Sequence, residues 1–265
     1  MANQHGDFVW YELMSGDADG AQEFYSGLLG WTFKSGNMDG IDYRPFSAGG
    51  GGDIGGLLQL TEEMTEHGAR PCWVGYVRVD DVPATVSKAK GAGATVLMEG
   101  HEVPEVGPFA MLQDPGGAPF YVIDDRSGQD SDAFASHEPR MGHCAWNELM
   151  AGDPDAAKSF YGDLFGWVVS DTMDMGEMGK YEMLRNGAER DFMFGAVMNA
   201  MPDMPVSMWS FYFRLPSIDV AEAYIKQNGG QVMNGPMEIP GGEFIINGVD
   251  PQGAMFSVIG PRGEG

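Results

Sequence analysis

Apolar and polar positions alternate in several short segments of the chain and recur at helical spacing in others. The alternating run "FVWYELMS", from Phe8 to Ser15, is typical of a strand with one buried face. Asp17 follows it and can accept a backbone N–H at the start of a helix. Gly30 supplies the left-handed residue that ends one. Between them stand four apolar residues at helical spacing, Ala21, Phe24, Tyr25 and Leu28. The pattern predicts a strand followed by a helix.

The same pattern is written twice. "WYELMSGDADGAQEFYSGLLGW" begins at Trp10 and "WNELMAGDPDAAKSFYGDLFGW" at Trp146, an offset of 146 − 10 = 136 residues. "DPGGAPFYVI" at Asp114 and "DPQGAMFSVI" at Asp250 share that offset, since 250 − 114 = 136. The second helix pattern consists of Ala157, Phe160, Tyr161 and Leu164, followed by Gly166. The two halves are therefore duplicates, and a repeat of this kind sets the architecture.

Each half divides again into two modules. Candidate helix caps stand at Asp17 and Asp81, 64 residues apart (81 − 17), and at Asp153 and Ser217, also 64 apart (217 − 153). Strand-like runs such as "IDYRPFS" and "TVLMEGH" follow the helix patterns, and each DPxG segment fits a turn between antiparallel strands. Each module therefore has the order β-α-β-β-β. Four such modules predict an α+β protein with curved sheets.

The repeat also predicts the domain organisation. We expect a first domain at residues 1–127, a polar linker at residues 128–140 and a second domain at residues 141–265. A chain of 265 residues with 43% hydrophobic content is long enough to bury two cores.

Charge and hydropathy exclude several classes of function. The chain has 15 basic and 39 acidic residues, a formal net charge of −24, and this charge repels a phosphate backbone. We therefore expect no nucleic-acid partner. No apolar run is long enough to span a membrane and no signal peptide is visible, so we expect no membrane partner and a cytoplasmic location.

Cysteines and histidines do not indicate a metal site. Cys72 and Cys144 have no metal-ligand spacing and are too few for a disulfide framework, so we expect both to be small buried residues. The five histidines are not paired, and we expect surface imidazoles at His5, His67, His101, His137 and His143. The alternative is a site built from His5 or His143 with a neighbouring carboxylate.

The strand, the Asp cap, "AxxFYxxLxGW" and the later "DPxGAxF" resemble the vicinal oxygen chelate superfamily of glyoxalases, bleomycin-resistance proteins and extradiol dioxygenases. The resemblance covers nearly the whole chain. It implies that two modules form one cup-shaped domain and that this chain is a tandem member with two such glyoxalase-like domains. How the four modules pair is left open, because modules one and four, and two and three, could also combine.

The resemblance also implies where metal ligands would stand. The first ligand position falls on Trp10 and Trp146, and the others on Val74, Ser210, Tyr121 and Ser257. An indole offers only an N–H donor and valine offers no ligand atom. Tyrosine or serine oxygens without histidine or carboxylate companions bind divalent metals poorly. We therefore expect no metal and no other cofactor in either half.

Strand alternation predicts which residues line each cup, because residues two apart share a face. The first set is Trp10, Glu12, Met14, Tyr76, Arg78 and Tyr121, and the second is Trp146, Glu148, Met150, Tyr212, Arg214 and Ser257. In the functional interpretation the aromatic and methionine side chains contact a ligand, the arginines hold an anionic group, and Glu12 and Glu148 act as acid or base. In the alternative, each Glu and Arg form a structural ion pair.

Three functions are compatible with these residues. The first is a glyoxalase-like or bleomycin-resistance-like protein that binds a small organic molecule and, if it is an enzyme, transforms it without a metal as a lyase or oxidoreductase. The second is a metal-dependent lyase or dioxygenase with non-standard ligands, and the third is a non-catalytic sequestering protein. The duplication supplies within one chain the pairing that single-domain proteins obtain by dimerising. It therefore favours a monomer, with a homodimer as the alternative.

Overall fold

The computed structural model describes residues 3–38, 40–104, 106–135, 137–187, 189–201 and 206–263. Residue 136 of the predicted linker lies outside them. Helices in these ranges are α1 Ala18–Leu29, α2 Glu62–Glu66, α3 Val82–Gly91, α4 Pro154–Phe165 and α5 Ile218–Gln227, with a 3-10 turn at Gly176–Met178. Within the described ranges, no helix combines the length and apolar character needed to cross a membrane.

The four predicted helix caps are confirmed. Each cap side chain accepts the backbone N–H three residues further on, at 3.1, 2.8, 3.0 and 3.3 Å for Asp17, Asp81, Asp153 and Ser217. Gly30 and Gly166 have φ angles of 70° and 79°, so they end α1 and α4 in the left-handed conformation as predicted. The short helix α2, capped by Thr61, was not predicted.

The strands of the first sheet all lie in the first half of the chain. They are β1 Phe8–Ser15, β2 Thr32–Phe33, β3 Asn37–Met38, β4 Ile41–Ser47, β5 Gly55–Gln59, β6 Cys72–Arg78, β7 Thr95–Val103, β8 Gly107–Gln113 and β9 Pro119–Ile123. Their order is β2-β4-β5-β1-β6-β9-β8-β7, with β3 paired to β4.

The second sheet repeats this arrangement in the second half. Its strands are β10 Cys144–Ala151, β11 Trp167–Asp174, β12 Lys180–Asn186, β13 Gly195–Asn199, β14 Met208–Arg214, β15 Gln231–Glu238, β16 Phe244–Val249 and β17 Met255–Gly260. Their order is β11-β12-β13-β10-β14-β17-β16-β15.

Each module has the same strand pairing. Its first strand pairs parallel with its last strand, as β1 does with β5, β6 with β9, β10 with β13, and β14 with β17. The DPxG turns join the antiparallel pairs β8–β9 and β16–β17, as predicted. The predicted α+β fold with repeated βαβββ modules is confirmed.

By contact density the chain divides into two compact lobes that do not coincide with its two halves. The first lobe comprises Met1–Val9, Gly75–Ser131 and Trp146–Trp209, and the second comprises Trp10–Val74, Asp132–Ala145 and Ser210–Gly265. Modules two and three therefore supply most of the first lobe, and modules one and four most of the second.

The core of the second lobe is aromatic. Tyr25 is fully buried, and its ring centroid lies 5.8 Å from that of Trp31 and 5.4 Å from that of Trp73. Trp31 in turn stacks on Phe46 with centroids 4.2 Å apart. Aromatic side chains bury large apolar areas, and their edge and stacked contacts add to that gain. The helix α1 is held to the sheet by this cluster.

The first lobe has an equivalent core. Tyr161 is 2% exposed, with its ring centroid 5.3 Å from Trp167 and 5.4 Å from Trp209. The three offsets 161 − 25, 167 − 31 and 209 − 73 all equal 136, so the repeated aromatic residues have repeated structural roles. The motif "FYxxLxGW" is therefore, in both halves, a core-forming motif.

Candidate functional site

A hydrogen-bonded chain of three side chains lies in the second lobe. The Trp10 indole Nε1 donates to the Tyr43 hydroxyl at 2.9 Å. The Tyr43 hydroxyl is hydrogen-bonded in turn to the side chain of Glu12, and Glu12 is only 1% exposed. Trp10 and Glu12 share a face of β1, as strand alternation predicts. A buried carboxylate, a phenol and an indole are thus linked in series.

The glycine at position 56 makes room for this chain. Gly56 is the strand partner of Glu12 in the pairing of β1 with β5. A Cβ atom at Gly56 would stand 2.1 Å from the Tyr43 hydroxyl oxygen, far inside van der Waals contact. The close approach of the phenol therefore requires glycine at this position.

The first lobe contains the same chain. The Trp146 indole Nε1 donates to the Tyr181 hydroxyl at 2.7 Å, and this hydroxyl donates to Glu148 Oε2 at 2.8 Å. Glu148 is 8% exposed. The arrangement occurs in both halves, and we refer to each copy below as a Trp–Tyr–Glu chain.

Burial and the charge of Glu12 keep the Tyr43 hydroxyl and the Cys72 thiol protonated. Burial raises the pKa of the Tyr43 hydroxyl well above its ordinary value, and the negative charge of Glu12 raises it further. Burial, followed by the same carboxylate, raises the pKa of the Cys72 thiol to about 12. Tyr43 is therefore a hydrogen-bond donor near neutral pH, and Cys72 is a protonated thiol without nucleophilic character.

The residues at the implied metal positions do not fit a divalent metal. The Trp10 and Trp146 N–H groups are donors already used by tyrosines. Val74 is fully buried and has no ligand atom. In the described parts of the chain, no group of three or more histidine, cysteine, aspartate or glutamate side chains is placed to hold a metal ion.

Two further implied positions differ between the halves. Tyr121 stacks on Tyr76 with ring centroids 4.1 Å apart and planes at 10°, and both residues are at most 5% exposed. Ser257 instead hydrogen-bonds Ser210, with the two hydroxyl oxygens 2.6 Å apart. The first half has an aromatic stack where the second half has hydroxyl groups.

The predicted arginines have other partners in the structure. Arg78 Nη1 donates to the backbone oxygen of Asn3 at 2.6 Å, and Arg214 Nη2 donates to Glu243 Oε2 at 3.0 Å. The acidic partner of Arg214 is therefore Glu243. One oxygen of Glu148 accepts the hydrogen bond from the Tyr181 hydroxyl. The methionines lie on the expected strands, Met14 opposite Leu58 and Met150 opposite Met198.

Sequence reasoning missed both tyrosines of the Trp–Tyr–Glu chains. Their offset is 181 − 43 = 138, not 136, so comparison at a constant offset did not align them. The missing signal was a local insertion of two residues before β12. One further expectation was wrong: His143 is 3% exposed, and its ring hydrogen-bonds the backbone oxygen of Asp132 at 2.7 Å.

A separate cavity of about 360 Å³ lies in the first lobe. Its lining consists of Gln4, Phe165, Gly166, Asn186, Gly187, Glu189 and Arg190. It therefore includes none of the residues predicted to line a cup.

Family models match both halves of the chain. Residues 12–123 match the model described as "Glyoxalase-like domain". Residues 140–258 match the model described as "Glyoxalase/Bleomycin resistance protein/Dioxygenase superfamily". These two matches agree with the tandem organisation of the sheets.

Full-length relatives give the same result. The chain is 31% identical over 262 residues to "Putative glyoxylase CFP32" of Mycobacterium bovis, covering 95% of this chain and 94% of that protein. It is 28% identical over 267 residues to "Anthracycline biosynthesis protein DnrV" of Streptomyces peucetius, covering 95% and 92%. Among solved structures, the Mn(II)-bound glyoxalase of Novosphingobium aromaticivorans matches with a TM-score of 0.62 and 17% identity, covering 98% and 84%. At that identity the structural match shows the fold alone.

Proposed function

Because this chain belongs to the glyoxalase/bleomycin resistance protein/dioxygenase superfamily, we propose that it binds a small organic molecule beside its two Trp–Tyr–Glu chains without a metal at the family's ligand positions. The observation that carries the proposal is the presence of a Trp–Tyr–Glu chain in both halves of the protein. The tryptophan of each Trp–Tyr–Glu chain stands at the position where the resemblance implies the first metal ligand.

The hydrogen bonding of the tryptophans supports a role in ligand contact. An indole N–H without a partner is costly to bury, and here each N–H donates to a tyrosine hydroxyl. Trp10 and Trp146 are both partly exposed, which supports contact between their side chains and an apolar or aromatic ligand. Met14 and Met150, two strand positions beyond each glutamate, add adaptable apolar surface.

Glu12 and Glu148 are the proposed acid or base groups. Each is buried and receives a tyrosine hydroxyl, so each carboxylate is held in one orientation. Proton transfer to or from a bound molecule by such a positioned group is a common catalytic contribution. The names of the relatives, "Putative glyoxylase CFP32" and "Anthracycline biosynthesis protein DnrV", are consistent with a small organic substrate.

We also propose that the protein is a cytoplasmic monomer without a nucleic-acid partner. The net charge of −24 supports the last part, since it opposes phosphate binding. Light scattering coupled to size-exclusion chromatography measures the oligomeric state directly, and a dimer mass would overturn the monomer.

The proposal is tested by elemental analysis of purified untagged protein together with native mass spectrometry. We expect substoichiometric metal and a retained organic molecule, whose mass identifies the substrate class. Trp10→Leu with Trp146→Leu should lose that molecule, while Tyr224→Phe, which removes a hydroxyl bonded to the Glu23 backbone oxygen, should keep it. One firmly bound divalent ion per half would overturn the proposal.

If a ligand is retained, Glu12→Gln and Glu148→Gln separate an enzyme from a sequestering protein. For an enzyme, these variants should still bind the molecule but leave it unchanged during prolonged incubation. For a sequestering protein, the wild type and the variants should release the same unaltered molecule.

A further inference from the structure

A row of three polar side chains crosses the last three strands of the second half. Ser257 on β17 pairs with Asn247 on β16, and Asn247 pairs with Asn234 on β15. We call these three residues the polar row. Ser257 is 1% exposed, Asn247 is partly buried and Asn234 is exposed, so the row leads from the interior to the sheet edge.

Hydrogen bonds connect the row and extend it. Asn247 Nδ2 donates to the Ser257 hydroxyl at 2.8 Å and to the Tyr212 hydroxyl at 3.1 Å. Asn234 Nδ2 donates to Asn247 Oδ1 at 3.2 Å. The Ser210 and Ser257 hydroxyl oxygens lie 2.6 Å apart. All these residues belong to the second lobe.

The first half provides an internal comparison. Subtracting 136 from 257, 247 and 234 gives Tyr121, Met111 and Met98. These residues occupy the same register, with Met111 paired to Tyr121 on β9 and to Met98 on β7. The corresponding row is thus aromatic and apolar in one half and polar in the other.

This comparison separates folding from function. The first half forms the same sheet order with Tyr121, Met111 and Met98 in the row, so the fold does not require the serine and the two asparagines. Methionine at these positions would need no hydrogen-bond partner, whereas the amide and hydroxyl groups do. Polar groups that the fold does not require point to a ligand that uses them.

The hydrogen count indicates which ligand atom fits. Asn247 Nδ2 gives its two hydrogens to Tyr212 and Ser257. One serine hydroxyl hydrogen lies between Ser210 and Ser257, and the other has no acceptor among the hydrogen bonds of the described residues. One donor therefore remains for an acceptor oxygen of a ligand.

The charge on the strand face beside the polar row limits the class of ligand further. Arg214, two positions beyond Tyr212 on the same face of β14, is ion-paired with Glu243. The nearest cation on that strand face is therefore already neutralised, which favours a ligand without a net negative charge.

We infer that Ser210, Ser257 and Asn247 form a hydrogen-bonding site for a neutral organic molecule that presents a carbonyl or similar acceptor oxygen. The site rests on the proposed small-molecule function and assigns the polar end of the ligand to the second half. Asn234 contacts the ligand where it approaches the sheet edge.

The test compares acetophenone with ethylbenzene, which has the same shape but no acceptor oxygen. Binding is followed by proton–nitrogen correlation spectra of the side-chain amides, with Asn247 and Asn234 assigned from their own substitutions. We expect acetophenone, and not ethylbenzene, to shift both amides. Ser257→Ala and Ser210→Ala should weaken acetophenone binding about 3- to 10-fold, the effect of one neutral hydrogen bond.

Asn247→Met, which installs the residue of the first half, should abolish the preference for acetophenone. Met111→Leu, at the same register in the first half, is the matched control and should leave it unchanged. Thermal melting verifies that each variant is folded, and the two serine variants suffice if Asn247→Met is not.

The outcomes separate the two proposals. If acetophenone binds the wild type and the serine variants equally, or no better than ethylbenzene, the polar row is not a ligand site, although small-molecule binding stands. If neither probe binds up to its solubility limit and no organic molecule co-purifies, the proposed function fails and the site fails with it.

Discussion

The Tyr25 hydroxyl donates a hydrogen bond of 3.0 Å to Asp250, a residue 225 positions away in the chain. Tyr161 does the same to Asp114, also at 3.0 Å. Each half therefore supplies the tyrosine of one pair and the aspartate of the other. The repeated FYxxLxGW and DPxGA motifs are coupled through these bonds, which explains why both occur twice.

These buried aspartates have further partners. Asp250 Oδ1 accepts the backbone N–H of Ala254 at 2.8 Å, and Asp114 Oδ1 accepts that of Ala118 at 2.8 Å. Trp73 and Trp209 donate to the two tyrosine hydroxyls at 3.1 and 3.0 Å. A buried carboxyl is tolerated here because its oxygens are hydrogen-bonded.

Replacing Tyr25 by Phe should destabilise the protein by about 1–3 kcal/mol, because Asp250 would stay buried without one of its donors. Urea unfolding followed by circular dichroism measures the change. Tyr224→Phe serves as the control, since its hydroxyl makes only a long surface contact of 3.5 Å. A Tyr25→Phe variant as stable as the control would show that the tyrosine–aspartate bond contributes nothing.

Stability should fall at alkaline pH. Burial, with the nearby Asp250 and Asp114 carboxylates, raises the pKa values of Tyr25 and Tyr161 well above the ordinary 10.0. A group with a raised folded pKa contributes stability that is complete below its unfolded pKa and is lost as pH rises through the folded pKa. Above about pH 10 each tyrosine should therefore lower the unfolding free energy by up to about 1.4 kcal/mol per pH unit.

The measurement is urea unfolding at a series of alkaline pH values. Tyr25→Phe with Tyr161→Phe should make the decline shallower. A tyrosinate absorbance that rises near pH 10 in the folded wild type and is missing from the Tyr25→Phe with Tyr161→Phe variant would contradict this assignment.

The two buried aspartates make stability depend on pH in the acid range. Burial raises the pKa of Asp114 and of Asp250, and their hydrogen bonds only partly offset it. Their contribution is therefore complete below the ordinary value of 3.8 and declines as pH rises through the folded pKa. In urea unfolding at a series of acid pH values, Asp250→Asn should make this decline shallower.

Glu12→Gln should make Cys72 more reactive. The Glu12 charge is one of two causes that raise the thiol pKa to about 12, so its removal lowers that pKa and increases the thiolate fraction. In a Cys144→Ser background, we expect iodoacetamide to label Cys72 about 3- to 10-fold faster. Glu23→Gln is the control, and equal labelling rates in the two variants would place Glu12 too far from Cys72 to act on it.

Gly56→Ala should disturb the first Trp–Tyr–Glu chain, because the new methyl group would overlap the Tyr43 hydroxyl. We expect a loss of about 1–3 kcal/mol in unfolding free energy and a change in Trp10 fluorescence. Gly16→Ala is the matched control, since a Cβ there has no atom within 4 Å. The prediction fails if both variants unfold alike and have the same emission spectrum.

The sequence by itself determined the local structure and the family. Some features depend only on residues a few positions apart, so the sequence alone predicts them. They are the helix caps at Asp17 and Ser217, the helix end at Gly30 and the DPxG turns. The duplication at an offset of 136 residues then extends each assignment to the other half. The lack of suitable metal ligands at Trp10 and Val74 also followed from residue chemistry alone.

Only the tertiary structure decided which side chains meet. Three kinds of hydrogen bond join residues on different elements. They are the bond from Tyr25 to Asp250, the bonds to the tyrosines of the Trp–Tyr–Glu chains, and the bond between Ser257 and Asn247. Such contacts depend on strand register and on the burial of both partners, and periodicity within one strand carries neither. Glu148 illustrates the difference: its face was predictable from alternation, whereas its partner Tyr181 depended on how β12 aligns beside β13.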